Sequence, residues 1–159
     1  MSLLSIFRQQ SDLTKSSLHN ETDFYNTFLK DLINCNNEVI IESPYITTER
    51  MANLLPVFQR LLNKNIKIHI VTRDPADHEN ELFRLQSTNE ILKCIDLGIN
   101  VILLKGFHHR KVAIIDCKIL WEGSLNILSQ TKSKEMMRRI DSKGEATKVF
   151  NFLRLKQYI

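Results

Sequence analysis

The sequence predicts one α/β domain, an α/β/α sandwich around a mixed central β-sheet, on three observations. Strand-like runs at 38–45, 66–71 and 99–104 alternate with helical stretches, the rhythm of a mainly parallel sheet. Two further runs, KVAIID and KILWEG, lie so close together that a tight turn at Asp116, Cys117 and Lys118 must join them as antiparallel neighbours. Finally, 159 residues with 43% apolar content are the size of one domain, which can bury roughly two thirds of the surface its unfolded chain exposes.

Taken in order, residues 1–20 lack sustained periodicity and are rich in Ser, Gln and Asn, so they read as an N-terminal extension to a domain over 21–159. Phe24, Tyr25, Phe28, Leu29, Leu32 and Ile33 recur at helical spacing, with Asn20 or Thr22 placed to cap the first turn. EVIIESPY, ended by Pro44, is a buried strand. Met51, Leu54, Leu55, Phe58, Leu61 and Leu62 mark a second helix, which Pro56 must open or kink. IKIHIV sets Ile66, Ile68 and Ile70 on one face. A third helix from about Asp77 to Leu97 closes at Gly98, a residue suited to the left-handed cap, and INVILL follows. A last helix near 144–156, carrying Val149, Phe150 and Leu153, covers one face of the sheet.

The charge balance is basic and mild: 22 cations against 18 anions, net +4, pI near 9.0. It permits an anionic partner such as nucleic acid or a lipid headgroup without requiring one. Three cysteines, Cys35, Cys94 and Cys117, form no CxxC pair, which argues against a disulfide framework or a zinc site and favours a reducing compartment. With no apolar run of about 18 residues and a poor signal-peptide pattern, the expectation is a soluble, cytoplasmic protein with no membrane span.

HHRKVAIIDCKILWEGSLN, residues 108–126, threads polar groups through the hairpin. Along a strand His109 and Lys111 share a side, whereas Asp116 points elsewhere or braces the turn. Gly123 permits close backbone approach, and Ser124 and Asn126 offer a hydroxyl, a carboxamide and backbone amides to an anion where the chain turns.

This spacing, His109-x-Lys111, four residues, Asp116, six residues, Gly123-Ser124-x-Asn126, resembles the HxK(x4)D(x6)GSxN signature of the phospholipase D superfamily, with every named position filled. A looser likeness extends over 20–156. The stretch 119–140 further resembles phospholipase D-like nuclease modules attached to helicases or found in DNA restriction and defence proteins.

The resemblance implies a phospholipase D-like fold and a phosphodiesterase whose His109 attacks phosphorus to form a phosphohistidine. It also implies that Lys111, Ser124 and Asn126 hold the phosphate oxygens, that Asp116 completes the motif, and that Glu135 supports the catalytic histidine. A second histidine must protonate the leaving alcohol. None of His19, His69, His78 and His108 carries the rest of the motif, so the expected completion is a homodimer sharing one site. No group of carboxylates or His/Cys ligands is evident, so neither a metal nor another cofactor is expected.

Gly123, Lys132, Lys134, Arg138 and Arg73 are candidate substrate contacts, the cations as a rim for phosphates. Against this, Lys132, Lys134, Arg138 and Arg139 read equally as a solvated helix face, and Asp74 stands ready to neutralise Arg73. Trp121 reads as packing rather than a base-stacking platform. The function expected is a DNA endonuclease, DNA before RNA, with helicase or restriction components as the partners the narrower likeness implies. The alternatives are a phospholipase or phosphatidyltransferase, and a nucleic-acid-binding module with little turnover of its own.

Overall fold

The computed structural model describes residues 15–129 and 132–159, and the first 14 residues of the expected extension lie outside them. In chain order the elements are β1 (Ser16–Asn20), α1 (Phe24–Ile33), β2 (Glu38–Glu42), α2 (Thr48–Leu62), β3 (Lys67–Arg73), α3 (Glu81–Asp96), β4 (Asn100–Leu104), β5 (Val112–Ile115), β6 (Ile119–Gly123), β7 (Met136–Asp141) and α4 (Lys143–Phe152). Short 3-10 turns at Pro75–Asp77 and Leu155–Gln157 precede α3 and follow α4.

The strands form one sheet in the order β1-β7-β6-β5-β2-β3-β4. β2, β3 and β4 run parallel, and every other neighbouring pair is antiparallel, so the sheet is mixed. One face carries the larger core, where Phe24, Phe28 and Leu32 of α1, Met51, Leu54 and Phe58 of α2, and Ile91 and Cys94 of α3 close over Val39, Ile41, Ile68, Ile70 and Trp121. The opposite face carries a smaller core in which Ala146, Leu153 and Leu155 cover Ile40, Ile114, Leu120 and Ile140. Strand alternation produces both, because neighbouring residues 39, 40 and 41 point to opposite layers. Among the described residues no helix is long and apolar enough to cross a membrane.

Three expectations are corrected. Part of the expected extension, Ser16–Asn20, is an edge strand paired to β7 from Ser16↔Ile140 to Asn20↔Met136. Backbone ladders hold this strand, which is too polar to announce itself. The basic stretch after the motif is a strand as well: Met137 and Ile140 are buried while Arg138 and Arg139 break the apolar pattern between them. The third helix begins at Glu81, where the Asn80 side chain accepts the Phe83 amide. Pro56 lies inside α2, which runs through it, so of the two roles expected it does not open the helix.

The hairpin turn is made by consecutive left-handed residues, Asp116 at φ 53° and Cys117 at φ 49°. That is the mirror-image turn whose twist matches the flanking strands. Gly98 closes α3 at φ 94°. Trp121 is fully buried and donates its indole N–H to Asp31 at 2.8 Å, while Arg139 reaches the same carboxylate at 2.8 and 2.7 Å.

Candidate active site

β5 runs antiparallel to β2 with Glu42 opposite Val112, so the loop entering β5 lies at the C-terminal end of β2. The segments leaving β2 and β3 at their C-terminal ends supply Tyr45, Arg73 and His78, and open α/β sheets form clefts at that edge. His109 and Lys111 therefore sit in the loop just ahead of the strand, which is what leaves His109 exposed.

The four residues 108–111 divide their attention. Arg110 donates to Glu42 at 2.6 Å, and His108 Nε2 lies 2.9 Å from the same oxygen without a hydrogen-bonding alignment. Lys111 instead brings its ammonium to His109, donating at 2.6 Å to Nδ1 and at 3.0 Å to the carbonyl. Lys111 is only 9% exposed, and burial pulls its pKa down while the charge of Glu135 opposes that change. His109 is pulled below the ordinary histidine range by burial, then by Lys111, Arg73 and His108. A neutral imidazole beside an ammonium results, so the ring carries a lone pair and the lysine carries the charge.

A cavity of about 550 Å³ opens beside this pair, walled by His109, Asn126, Tyr45, His78, Arg73 and Phe107 among others. Tyr45 stacks on His78 at 5.3 Å and meets His109 edge-on at 6.1 Å. Asn126 presents a buried side-chain oxygen with no hydrogen-bond partner among the described residues. The loop carrying it is fixed by the Tyr25 hydroxyl, which donates to the carbonyls of Asn126 and Ile127 at 3.1 and 2.8 Å, with the Arg50 guanidinium over the ring. A second, shallower groove joins His109 and Lys111 to Gly123 and Arg138.

Other residues singled out in the sequence lie elsewhere or are otherwise engaged. Asp116 stands at the far end of β5, about 13 Å of strand away. Its carboxylate accepts the amides of Asn36, Asn37 and Glu38 at 2.9, 2.8 and 3.1 Å, so it clamps the hairpin to the α1–β2 loop and touches no reacting group. Ser124 turns its hydroxyl to β7, accepting the Met136 amide at 3.0 Å. Gly123 approaches the same strand so closely that a β-carbon would run into the Met136 carbonyl and the Met137 backbone; its near neighbour is protein.

Glu135 accepts from Ser133 at 2.6 Å and acts on Lys111 through its charge, with no hydrogen bond to His109 among the described residues. Lys134 is committed to Glu21 at 2.8 Å, whose carboxyl drops to about 2 through that bond and its neighbouring amides. Arg139 is committed to Asp31, while Lys132 is exposed and Arg138 lines the shallow groove. The Asp74 carboxylate accepts the Ala76 amide and forms no ion pair with Arg73 among the described residues; the Arg73 guanidinium donates to the Asp77 carbonyl, and its Nε is buried without a partner among those residues. Sequence reasoning missed Tyr45, His78 and Phe107. The available signal was their position just beyond the ends of strands that bound the cleft. Among the described residues no three His, Cys, Asp or Glu side chains group to hold a metal ion.

A search of curated protein sequences finds no match. Solved structures do match in fold. NucT from Helicobacter pylori superposes with a TM-score of 0.68 at 21% identity, covering 88% of this chain and 93% of that one. Nuc from Salmonella typhimurium, a phospholipase D family member, gives 0.70 at 15% identity with 87% and 91% covered. Phosphatidylserine synthase from Haemophilus influenzae Rd KW20 gives 0.65 at 14% identity, covering 80% of this chain and 35% of that one. The sequence profile described as "Cardiolipin synthase, PLD-like domain" matches residues 28–154, most of the described domain, and the chain therefore belongs to the phospholipase D-like family.

Proposed function

We propose that this protein is a phosphodiesterase that cuts DNA, at a site completed by a second copy of the chain. The carrying observation is the neutral His109 held against the charged Lys111 at the edge of a cavity that Asn126 also lines. In this reading His109 Nε2 attacks phosphorus, a P–N bond forms and the P–O bond to the leaving alcohol breaks. A second histidine gives that alcohol its proton, then takes one from the water that cleaves the P–N bond. Lys111 and Asn126 hold the phosphate oxygens, where preorganised donors matter most. For Nε2 to attack, Lys111 leaves Nδ1 for the phosphate and the ring proton passes from Nε2 to Nδ1, the tautomer that frees the Nε2 lone pair.

The second histidine is not supplied by this chain. His108 is turned to Glu42, and His78 is buried in a stack with Tyr45. A two-fold axis past His109 supplies an equivalent ring from another copy. Coverage supports this: the chain spans nearly all of NucT and Nuc and about a third of the phosphatidylserine synthase. A polyanionic substrate such as DNA is supported by the net charge of +4 and by Arg73 and Arg138 at the two hollows, neither of which has a carboxylate partner among the described residues.

The test is incubation of purified protein with single- and double-stranded DNA, RNA and phosphatidylcholine vesicles, with and without EDTA, beside His109→Ala. Cleavage of DNA that survives EDTA and disappears in His109→Ala is expected, with a dimer by light scattering. Headgroup release from the vesicles without DNA cleavage transfers the site to a lipid substrate, and a fully active monomer removes the shared site.

A further inference from the structure

Resting on the nuclease reading, we infer that the cavity beside His109 is a pocket for an unpaired nucleobase, so that the enzyme selects single-stranded or locally unpaired substrate. Phe107 projects from the loop ahead of His109 at 93% exposure, an unusual state for a phenyl ring with no apolar partner over it. The Arg73 guanidinium lies 5.5 Å from its ring centroid. Across the same hollow lie the stacked pair Tyr45 and His78 and the half-exposed Phe83. Four aromatic rings besides His109 thus line a space of about 550 Å³, within the range of roughly 300–1,000 Å³ that holds small organic ligands.

Polar groups decide what the space suits. Arg73 Nε and Asn126 Oδ1 are both buried without partners among the described residues, and Glu79 and Asn80 also line the cavity. An acyl chain would leave those groups unsatisfied, whereas the edge of a base carries donors and acceptors to meet them. His109 and Asn126 wall the same cavity, so an occupant is the base of a nucleotide adjoining the phosphate that His109 addresses. A base within a duplex has both faces stacked on its neighbours and cannot offer one to Phe107; an unpaired base can.

The experiment compares wild type with Phe107→Ala on a short mixed-sequence oligodeoxynucleotide, the same strand annealed to its complement, and the strand carrying one abasic site. Because Phe107 is exposed, its removal leaves the fold intact. Wild type is expected to favour the single strand and to skip the phosphate beside the abasic site. Phe107→Ala should raise KM for the single strand about 10-fold, the scale of one stacked base, with kcat little changed. Equal KM for strand and duplex, insensitive to Phe107→Ala, overturns the base pocket and leaves the phosphodiesterase reading standing. No cleavage of any nucleic acid by wild type overturns both together. Loss of binding to phosphatidylglycerol vesicles in Phe107→Ala, with oligonucleotide KM unchanged, overturns it in favour of a lipid contact.

Discussion

Lys111 Nζ lies 2.6 Å from His109 Nδ1, so the ammonium donates to a nitrogen that a protonated imidazole would need for its own hydrogen. Charging His109 is penalised by burial, by this lysine, and by Arg73 and His108. Lys111→Met should therefore move the His109 titration upward, which NMR of the ring protons can follow. It should also slow cleavage roughly 100- to 1,000-fold, the usual loss for one oxyanion donor. An unmoved titration would show that the contact does not set the histidine's charge.

Glu135 raises the Lys111 pKa against its burial. In Glu135→Gln that support is gone, so Lys111 loses its proton at lower pH. The alkaline limb of the pH–rate profile should shift toward neutrality with circular dichroism unchanged. A uniform drop in rate with an unmoved limb would reduce Glu135 to a packing role.

Asp116 predicts stability, not turnover. Burial pushes its carboxyl up, but the amides of Asn36, Glu38 and Asn37 outweigh that and leave the pKa low. A depressed carboxylate contributes stability above its unfolded value of about 3.9 that is lost as pH falls through its folded value. Asp116→Ala orphans three amides and puts alanine at φ 53°, costing about 3 kcal/mol in urea titrations at neutral pH. Asp116→Asn, which tolerates the left-handed turn, should cost less. Below about pH 3 the wild-type advantage over Asp116→Asn should shrink.

Asp31 ties α1 to the sheet through Trp121 and Arg139. Asp31→Ala leaves a largely buried guanidinium unpaired and should destabilise by about 3–5 kcal/mol. The denaturation midpoint should fall with the slope unchanged. The double variant Asp31→Ala/Arg139→Met should recover part of the loss if the orphaned charge is its cause.

His109 and His78 are both held below the usual range of about 6.5. A depressed histidine favours the folded state fully above 6.5, and this benefit is lost as pH falls, because the unfolded chain takes the protons first. Stability should therefore decline from pH 7 to 5, before the carboxylates titrate. His78→Gln should flatten that decline, measured by urea midpoints across the range.

Most of the frame was legible because it rests on local rules. The continuous β-branched run at Val39, Ile40 and Ile41, helical stripes at Phe24, Phe28 and Leu32, and two residues able to turn at Asp116 and Cys117 each carry their instruction within a few positions. The strands β1 and β7 escaped because their order comes from pairing with each other, and a ladder of backbone bonds leaves no mark on side-chain chemistry. The helix start at Asn80 escaped because the 3-10 turn before it uses residues that equally suit an early helix.

The sequence by itself determined the layered α/β class, the hairpin and the spacing of His109, Lys111 and Asn126, since periodicity and motif are properties of neighbouring residues. Tertiary structure alone decided which motif groups meet. Antiparallel pairing of β5 with β2 put His109 at the cleft and Asp116 at the opposite edge. The same folding assigned Ser124 to Met136 and Lys134 to Glu21, and set Phe107, Tyr45 and His78, distant in the chain, around one cavity. The reason is geometric: contacts across a sheet are fixed by strand order, which residue spacing does not encode.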